Sequence, residues 1–256
     1  MLLAIDIGNT NITLGIFDNE NLMETFRLPS DKELPQIEYE LLLTTLFKNF
    51  NVTGCVVASV VEELTQVLKC AADNVFGVNT FVLTYESEHG LKLDLKNPSE
   101  VGADRLANAF GAMELYKLPA IVVELGTATT FDIVSKNGHF KGGVIMPGLR
   151  LQLKSLNLNT SKLPRIEADV SEKAIGDSTE SAILSGVIRG SASAIEGLIN
   201  QCELELGEKA CVIATGGYST LISQYMLRQF DYVNPSLTLQ GLRAVYEHSS
   251  VCVHKL

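Results

Sequence analysis

Two stretches of this chain place a carboxylate, a glycine and a threonine just after an apolar run. The first is "LLAIDIGNTNITLGIF", residues 2–17, with Asp6 ahead of a Gly-Asn-Thr turn. The second is "AIVVELGTATTFDIV", residues 120–134, with Glu124 ahead of a Gly-Thr turn. A turn that meets a phosphate must let its backbone come close, and Gly8 and Gly126 remove the side chain that would block it. Thr10, Asn11, Thr127 and Thr129 carry hydroxyl or amide hydrogens for phosphate oxygens. An acid beside a triphosphate repels it unless a cation lies between, and Mg²⁺ suits that place because it takes one or two carboxylates together with substrate phosphates. Read structurally, each stretch is an ordinary β-turn, since acid-Gly-Asn turns are common in hairpins. Two of them at matching places favour phosphate binding.

A third cluster is "NPSEVGADRLANAF", residues 97–110. Asp104 and Arg105 stand near the start of a helical pattern, where the helix dipole favours an acid and nearby anions. Asp104 is either a simple helix cap or a carboxylate placed to accept the proton of an attacking hydroxyl; Arg105 can hold an anionic substrate group. The paired glycines of "ATGGY", residues 214–218, end a buried strand and either cap it or leave room for a flat adenine ring.

The elements that position these residues are legible as periodicity. Residues 2–7, 12–17 and 22–28 read as a three-stranded meander. A helix follows in "LPQIEYELLLTTLFKNF", with Pro near its start and apolar spacing at Ile37, Leu41, Leu42 and Leu46. "GCVVASVV" reads as a buried parallel strand, "VEELTQVLKCAADNVF" as a helix and "TFVLT" as a strand. Residues 86–100 read as a loop and "GADRLANAFGAMELY" as a helix. The second half repeats the order, with strands at 120–125, 129–135 and 139–146 and a "KNG" hairpin turn. A Pro-containing polar stretch, a long helical region at 178–205, the strand "ACVIATGG" and a closing helix in "NPSLTLQGLRAVYEH" complete it. Ala182, Ser185, Gly186, Ile188 and Gly190 read as a face of small and apolar residues on the long helix. Two similar halves of three strands followed by alternating helices and strands imply two related α/β domains with a cleft between them.

Composition narrows the partners. The 256 residues are 46% hydrophobic, enough for a substantial core, and carry a net charge of −10. The 20 Lys and Arg form no dense block, which argues against nucleic acid. No membrane span or signal peptide is expected, so the cytoplasm is the expected location. Cys55, Cys70, Cys202, Cys211 and Cys252 are dispersed and read as buried reduced thiols rather than zinc ligands or disulfides.

The motifs "DIGNTN", "NPSEVGADR", "ELGTATTFD", "GGVIMPGL" and "ATGG", in this order and spacing, resemble type III pantothenate kinase over nearly the whole chain. The resemblance implies the acetate-kinase, sugar-kinase and actin superfamily. Its fold is α/β, with two ribonuclease-H-like (actin-like ATPase) domains of mixed sheets and an interdomain cleft, here 1–112 and 113–256. It implies ATP-dependent phosphorylation of pantothenate, the first step of coenzyme A biosynthesis, by a homodimer that uses Mg²⁺ and a monovalent cation, K⁺ or NH₄⁺. By the same resemblance Asp6, Ile7, Gly8, Asn9, Thr10, Asn11, Ile12 and Thr13 bind ATP phosphate, and Thr127 contacts ATP. Gly102, Ala103, Asp104 and Arg105 bind pantothenate, with Asp104 as proton acceptor, and Thr179 contacts substrate. Two residues depart from the family pattern. Glu124 stands where an Asp is usual at the monovalent-cation position, and Leu95 stands where a substrate-touching Tyr is frequent. A kinase of another small metabolite and a non-catalytic nucleotide-binding paralogue are the competing readings.

Overall fold

The computed structural model describes residues 1–87 and 90–253. They group into two compact units, one formed by Met1–Leu115 with the residues from Leu237 onward, the other by Tyr116–Ser236.

In the first unit, β1 (Leu2–Ile7), β2 (Asn11–Asp18) and β3 (Asn21–Pro29) form an antiparallel meander. After α1 (Gln36–Leu46), β4 (Gly54–Ser59) returns parallel to β1, and α2 (Glu62–Phe76) leads to the short parallel β5 (Phe81–Val82). The sheet order is β3-β2-β1-β4-β5. Alternation along the strands divides its two faces. Leu3, Ile5, Ile7, Ile12, Leu14, Ile16, Cys55 and Val57 point to one face and pack with Tyr39, Leu43, Leu64 and Leu68 of α1 and α2. Asp6, Thr13 and Ala58 therefore point to the other.

The inward face of α1 differs from the sequence pattern. Tyr39 and Leu43 are its fully buried residues, while Ile37 and Leu41 are each 59% exposed. Leu42 and Leu46 pack against the core as the spacing predicts, and beside them Tyr39 is buried with its hydroxyl donating to the Asp31 carbonyl (2.9 Å), so the inward face is centred away from Ile37 and Leu41. The expected loop at 86–100 holds a two-residue strand, β6 (Lys92–Leu93), and a 3₁₀ turn at Pro98–Glu100; residues 88 and 89 lie outside the described residues. Then α3 (Ala103–Leu115) begins.

In the second unit, β7 (Ala120–Leu125), β8 (Ala128–Val134) and β9 (His139–Pro147) repeat the antiparallel meander. α4 (Leu149–Leu158) follows, inside the stretch expected to be irregular. Its only fully buried residues are Leu149 and Leu153, four apart, too sparse a signal beside the neighbouring polar residues. The long helix runs without a break from Thr179 to Leu206, as α5 (Thr179–Leu184), a π-helical segment (Ser185–Arg189) and α6 (Gly190–Leu206). By length and composition it could cross a membrane, yet Val187, Ile188, Ala192, Ile195 and Ile199 pack into the core of this unit. β10 (Cys211–Thr215) pairs parallel to β7, and after α7 (Ser219–Ser223) the short β11 (Tyr232–Val233) pairs parallel to β10. These strands run in the order β11-β10-β7-β8-β9.

The closing helix, α8 (Leu237–Val253), belongs by its contacts to the first unit, where a linear division at residues 112 and 113 counts it with the second half. It covers the sheet face opposite the α1/α2 core. Leu239 lies over Gly15 of β2, and Tyr246 over Gly54 of β4. It also crosses α3 closely, since a side chain on Gly241 would fall on the Ala107 carbonyl. The buried Thr238 hydroxyl donates to Asn108 Oδ1 (2.8 Å) across the same pair.

Two smaller expectations change. Ser185 and Ile188 of the long helix turn to the core, whereas Ala182, Gly186 and Gly190 form an exposed stripe at four-residue spacing. Cys55 is buried, but Cys70, Cys202 and Cys211 are half-buried free thiols, and the Cys252 side chain lies outside the described residues.

Candidate functional site

The β1–β2 turn is a closed, tied structure. The Gly8 N–H donates to the Asn11 carbonyl (3.0 Å), and the Val60 N–H donates to the Ile7 carbonyl (3.1 Å). Ser30, just beyond β3, donates its backbone N–H to the Thr10 carbonyl (3.1 Å) and its hydroxyl to the Gly8 carbonyl (2.5 Å). Asn9 and Thr10 are exposed at the tip, and Gly8, Asn11, Asp6 and Thr13 are half-buried. Ile7 and Ile12 point into the α1/α2 core, so only their backbone is left to meet a ligand.

Asp6 is the unusual group. Its Oδ1 is buried and has no hydrogen-bond partner. Buried polar atoms are nearly always satisfied, so an orphaned carboxylate oxygen points to something it is built to meet. Burial first, and then the negative charge of Asp104, push the Asp6 carboxyl from 3.8 up to about 7, against the pull of Arg27.

Asp104 is the second residue of α3. Its Oδ1 accepts from the Arg105 N–H (2.8 Å), so it does cap an open donor of the helix start. Burial also raises its pKa, opposed by that N–H and by the Arg105 guanidinium. Capping and proton acceptance are thus compatible in one side chain. Gly102 makes the arrangement possible, because a side chain there would overlap Asp104 Oδ1 and crowd Val60 Cγ1 (3.1 Å). The first unit therefore brings together Asp6, Asp104, Gly102 and the 8–13 turn.

The second unit builds its turn differently. The Gly126 N–H donates to the Ala128 carbonyl (3.0 Å), and Thr127 is exposed at the tip. Gly148, the N-cap of α4, donates its N–H to the Thr127 carbonyl (3.2 Å). A side chain on Gly148 would strike the Gly126 and Thr127 carbonyls. The N-terminus of α4 thus starts on this turn, a helix the sequence pattern did not reveal. Glu124 is directly opposite Thr130 on β8 and Thr215 on β10. The hydroxyl oxygens of both threonines are buried without a hydrogen-bond partner. Only sheet register reveals that row, because the three residues are far apart in sequence. Gly216 has φ +85°, and a side chain there would strike the Leu125 backbone, which accounts for it without a bound ring.

Thr179 is the exposed first residue of the long helix. The capping falls instead to Ser178 and Ser181, whose side chains each accept from the other's N–H (3.1 and 3.0 Å). Arg189, at the end of the π-helical segment, donates to the Ser171 carbonyl (2.7 Å) and lies over the Tyr225 ring at 4.9 Å. It ties the approach to Thr179 onto the helix. Leu95 is half-buried, and the structure gives it no further part.

Solved structures share the fold. A ROK family glucokinase from Streptomyces griseus, in complex with glucose and AMPPNP, matches with a TM-score of 0.57 at 14% identity, over 94% of this chain and 97% of that one. An inorganic polyphosphate/ATP-glucomannokinase from Arthrobacter matches with a TM-score of 0.53 at 17% identity, over 98% of each chain. The fold is that of the actin-like ATPases and sugar kinases. The model of the type III pantothenate kinase family matches residues 2–201. Type III pantothenate kinases of Moorella thermoacetica and of Dehalococcoides mccartyi strain CBDB1 are 42% and 41% identical, each over 98% of this chain and 100% and 97% of their own lengths. The chain belongs to the type III pantothenate kinase family, whose reaction is the ATP-dependent phosphorylation of pantothenate that opens coenzyme A biosynthesis.

The raised Asp6 carboxyl has a consequence for stability. Asp6 is protonated in the folded state over a range where the unfolded chain has lost the proton. Its contribution is therefore full in acid and is lost as pH rises from 3.8 through about 7. We expect Asp6→Asn to remove that loss, so that the urea midpoint of the variant, relative to the parent, is higher at about pH 8 than at about pH 5. Parallel pH profiles for the two proteins would show that Asp6 is not desolvated as described.

Proposed function

We propose that, in this kinase, the stretch Asp6–Thr13 binds the ATP phosphates and Thr127 contacts ATP, and that Gly102–Arg105 and Thr179 bind pantothenate. The observation that carries the reading is the pair Asp6 and Asp104, with a buried carboxylate oxygen of Asp6 left unsatisfied. Asp6 fits the role of holding Mg²⁺, a hard cation that favours carboxylate and phosphate oxygens. When bound, that ion supplies positive charge against the nucleotide phosphates. Asp104 accepts the proton of the pantothenate hydroxyl as it attacks the terminal phosphoryl group. Gly102 keeps the carboxylate in place, and Arg105 offsets its charge.

The assay is formation of phosphopantothenate from ATP and pantothenate by the pure protein. With it, Asp104→Asn is expected to lower kcat by about 10²–10⁴-fold, nearer the low end because a loose transition state relies less on a base. ATP binding should change little. Near-normal turnover in the variant would reduce Asp104 to its capping role.

We propose a monovalent-cation site at Glu124. The row Thr215, Glu124, Thr130 supplies a carboxylate flanked by two unsatisfied hydroxyl oxygens, an all-oxygen set suited to K⁺ or NH₄⁺. Glu124→Gln should weaken both the response to K⁺ and the use of ATP, whereas Glu124→Asp should keep activity. Titration of activity with KCl and NaCl at fixed Mg²⁺ and ATP compares the three proteins. An unchanged salt response in Glu124→Gln removes the site.

We also propose a homodimer packed through the exposed stripe Ala182, Gly186 and Gly190. A side chain added at Gly186 or Gly190 meets nothing within 4 Å in this chain, so the groove along the helix is open to a neighbouring helix. Gly190→Leu should shift the mass seen by light scattering toward the monomer's 27.8 kDa. A parent protein that is already monomeric while active would overturn this.

A further inference from the structure

One cation in the first unit has no part in the roles above. Arg27 on β3 is directly opposite Thr13 on β2, which is directly opposite Asp6 on β1. Residues facing one another across a sheet point to the same side. The neighbours of Arg27 confirm the side, because Phe26 and Leu28 pack against the α1/α2 core on the other face. Asp6, Thr13 and Arg27 therefore form one row, two residues along the strands from the level of Gly8 and Asn11. The end of β3 is fixed there, since Ser30 is bonded to both the Thr10 and the Gly8 carbonyls.

Arg27 is exposed, and among the described residues no hydrogen bond or salt bridge engages its guanidinium. Its charge nevertheless acts on Asp6, where it opposes Asp104. Two strand spacings separate the Arg27 and Asp6 backbones, roughly 9.6 Å. An extended guanidinium side chain and one phosphoryl group bridge such a gap. On the opposite side of Asp6, toward β4, Gly102 lies against Val60 and brings Asp104 in. The row thus has a proton acceptor on one flank and an uncommitted guanidinium on the other.

We propose that Arg27 binds the terminal phosphoryl group of ATP and holds it through transfer, a role that rests on the phosphoryl-transfer reading above. Two carboxylates beside that phosphoryl group would repel it, and a cation on the third side offsets them. A loose transition state spreads negative charge over three equatorial oxygens. The planar guanidinium matches two such oxygens at once, which an ammonium group does not. The anionic group met by Arg27 is assigned to the nucleotide rather than to the pantothenate carboxylate. The reason is that β3 is tied to the turn at Gly8 and Thr10, whereas the α3 start that receives the acceptor lies on the β4 side.

The test uses the full-length protein with Arg27→Gln and Arg27→Lys. Equilibrium binding of ADP and of a non-hydrolysable ATP analogue, each with Mg²⁺ and without acceptor, is compared with kcat. For Arg27→Gln the analogue should bind about tenfold more weakly while ADP binding stays within about twofold. Its kcat should fall by about 10²–10³-fold, and Arg27→Lys should recover only part of both losses. Equal losses for ADP and the analogue, no loss at all, or a rise confined to KM for pantothenate would each overturn the assignment. Thermal melting of each variant separates these outcomes from unfolding. Since binding is measured without acceptor, a parent that binds nucleotide yet makes no phosphopantothenate would refute the broader reading and the transfer role with it, while the ADP-against-analogue difference would still decide whether Arg27 meets the terminal phosphoryl group.

Discussion

The first unit is organised around a carboxylate it does not satisfy. Asp6 sits on a central strand between Ile5 and Ile7, both fully buried, and its Oδ1 has lost water without gaining a donor. Removing such a group from water is unfavourable unless it is paired or protonated. A second acid, Asp104, sits close enough to make this worse. A fold selected for stability alone would place neither there. The surrounding structure holds them in place: Ser30 ties the turn, Gly102 leaves room for the Asp104 carboxylate, and α8 locks α3 against the sheet through Gly241. Instability stored in this way is what a ligand with compensating positive charge would relieve.

The two units solve one geometrical problem with different parts. Each has an antiparallel meander whose first turn carries a glycine and a hydroxyl residue at an exposed tip. In the first unit the turn is fixed from the end of β3, by side chain and backbone of Ser30. In the second it is fixed from below by the N-cap of α4, Gly148, which is required there because any side chain would strike the turn. The acids differ as well. Asp6 is flanked in its row by Thr13 and Ala58, whereas Glu124 has a threonine on both sides. Asp6 thus has a neutral hydroxyl residue on one side of its row, and Glu124 has one on both.

Much of this was legible in the sequence, because it rests on local patterns. Strand alternation places Ile5 and Ile7 on one face and Asp6 on the other without reference to any partner. The strand–turn–strand order of both meanders, the long helix and the start of α3 follow from the same periodicities. What was not legible depends on packing. The inward face of α1 includes Tyr39, an aromatic whose polar end is satisfied by the Asp31 carbonyl, and α4 carries too few buried residues to show its period. Placement of α8 with the first unit needs contacts between residues more than a hundred positions apart, such as Thr238 with Asn108. The rows Asp6–Thr13–Arg27 and Thr215–Glu124–Thr130 are fixed by register, which a single sequence gives only weakly.

Electrostatics also explain why capping a helix start does not keep the Asp104 pKa low. An acid at a helix start is ordinarily stabilised in its charged form by the free N–H groups and the dipole, which makes it a poor proton acceptor. Here burial works in the opposite direction, and the net effect is a raised pKa. The carboxylate keeps its bond from the Arg105 N–H while desolvation raises its basicity. This arrangement holds only while residue 102 has no side chain, because the bonded oxygen occupies the volume that one would fill.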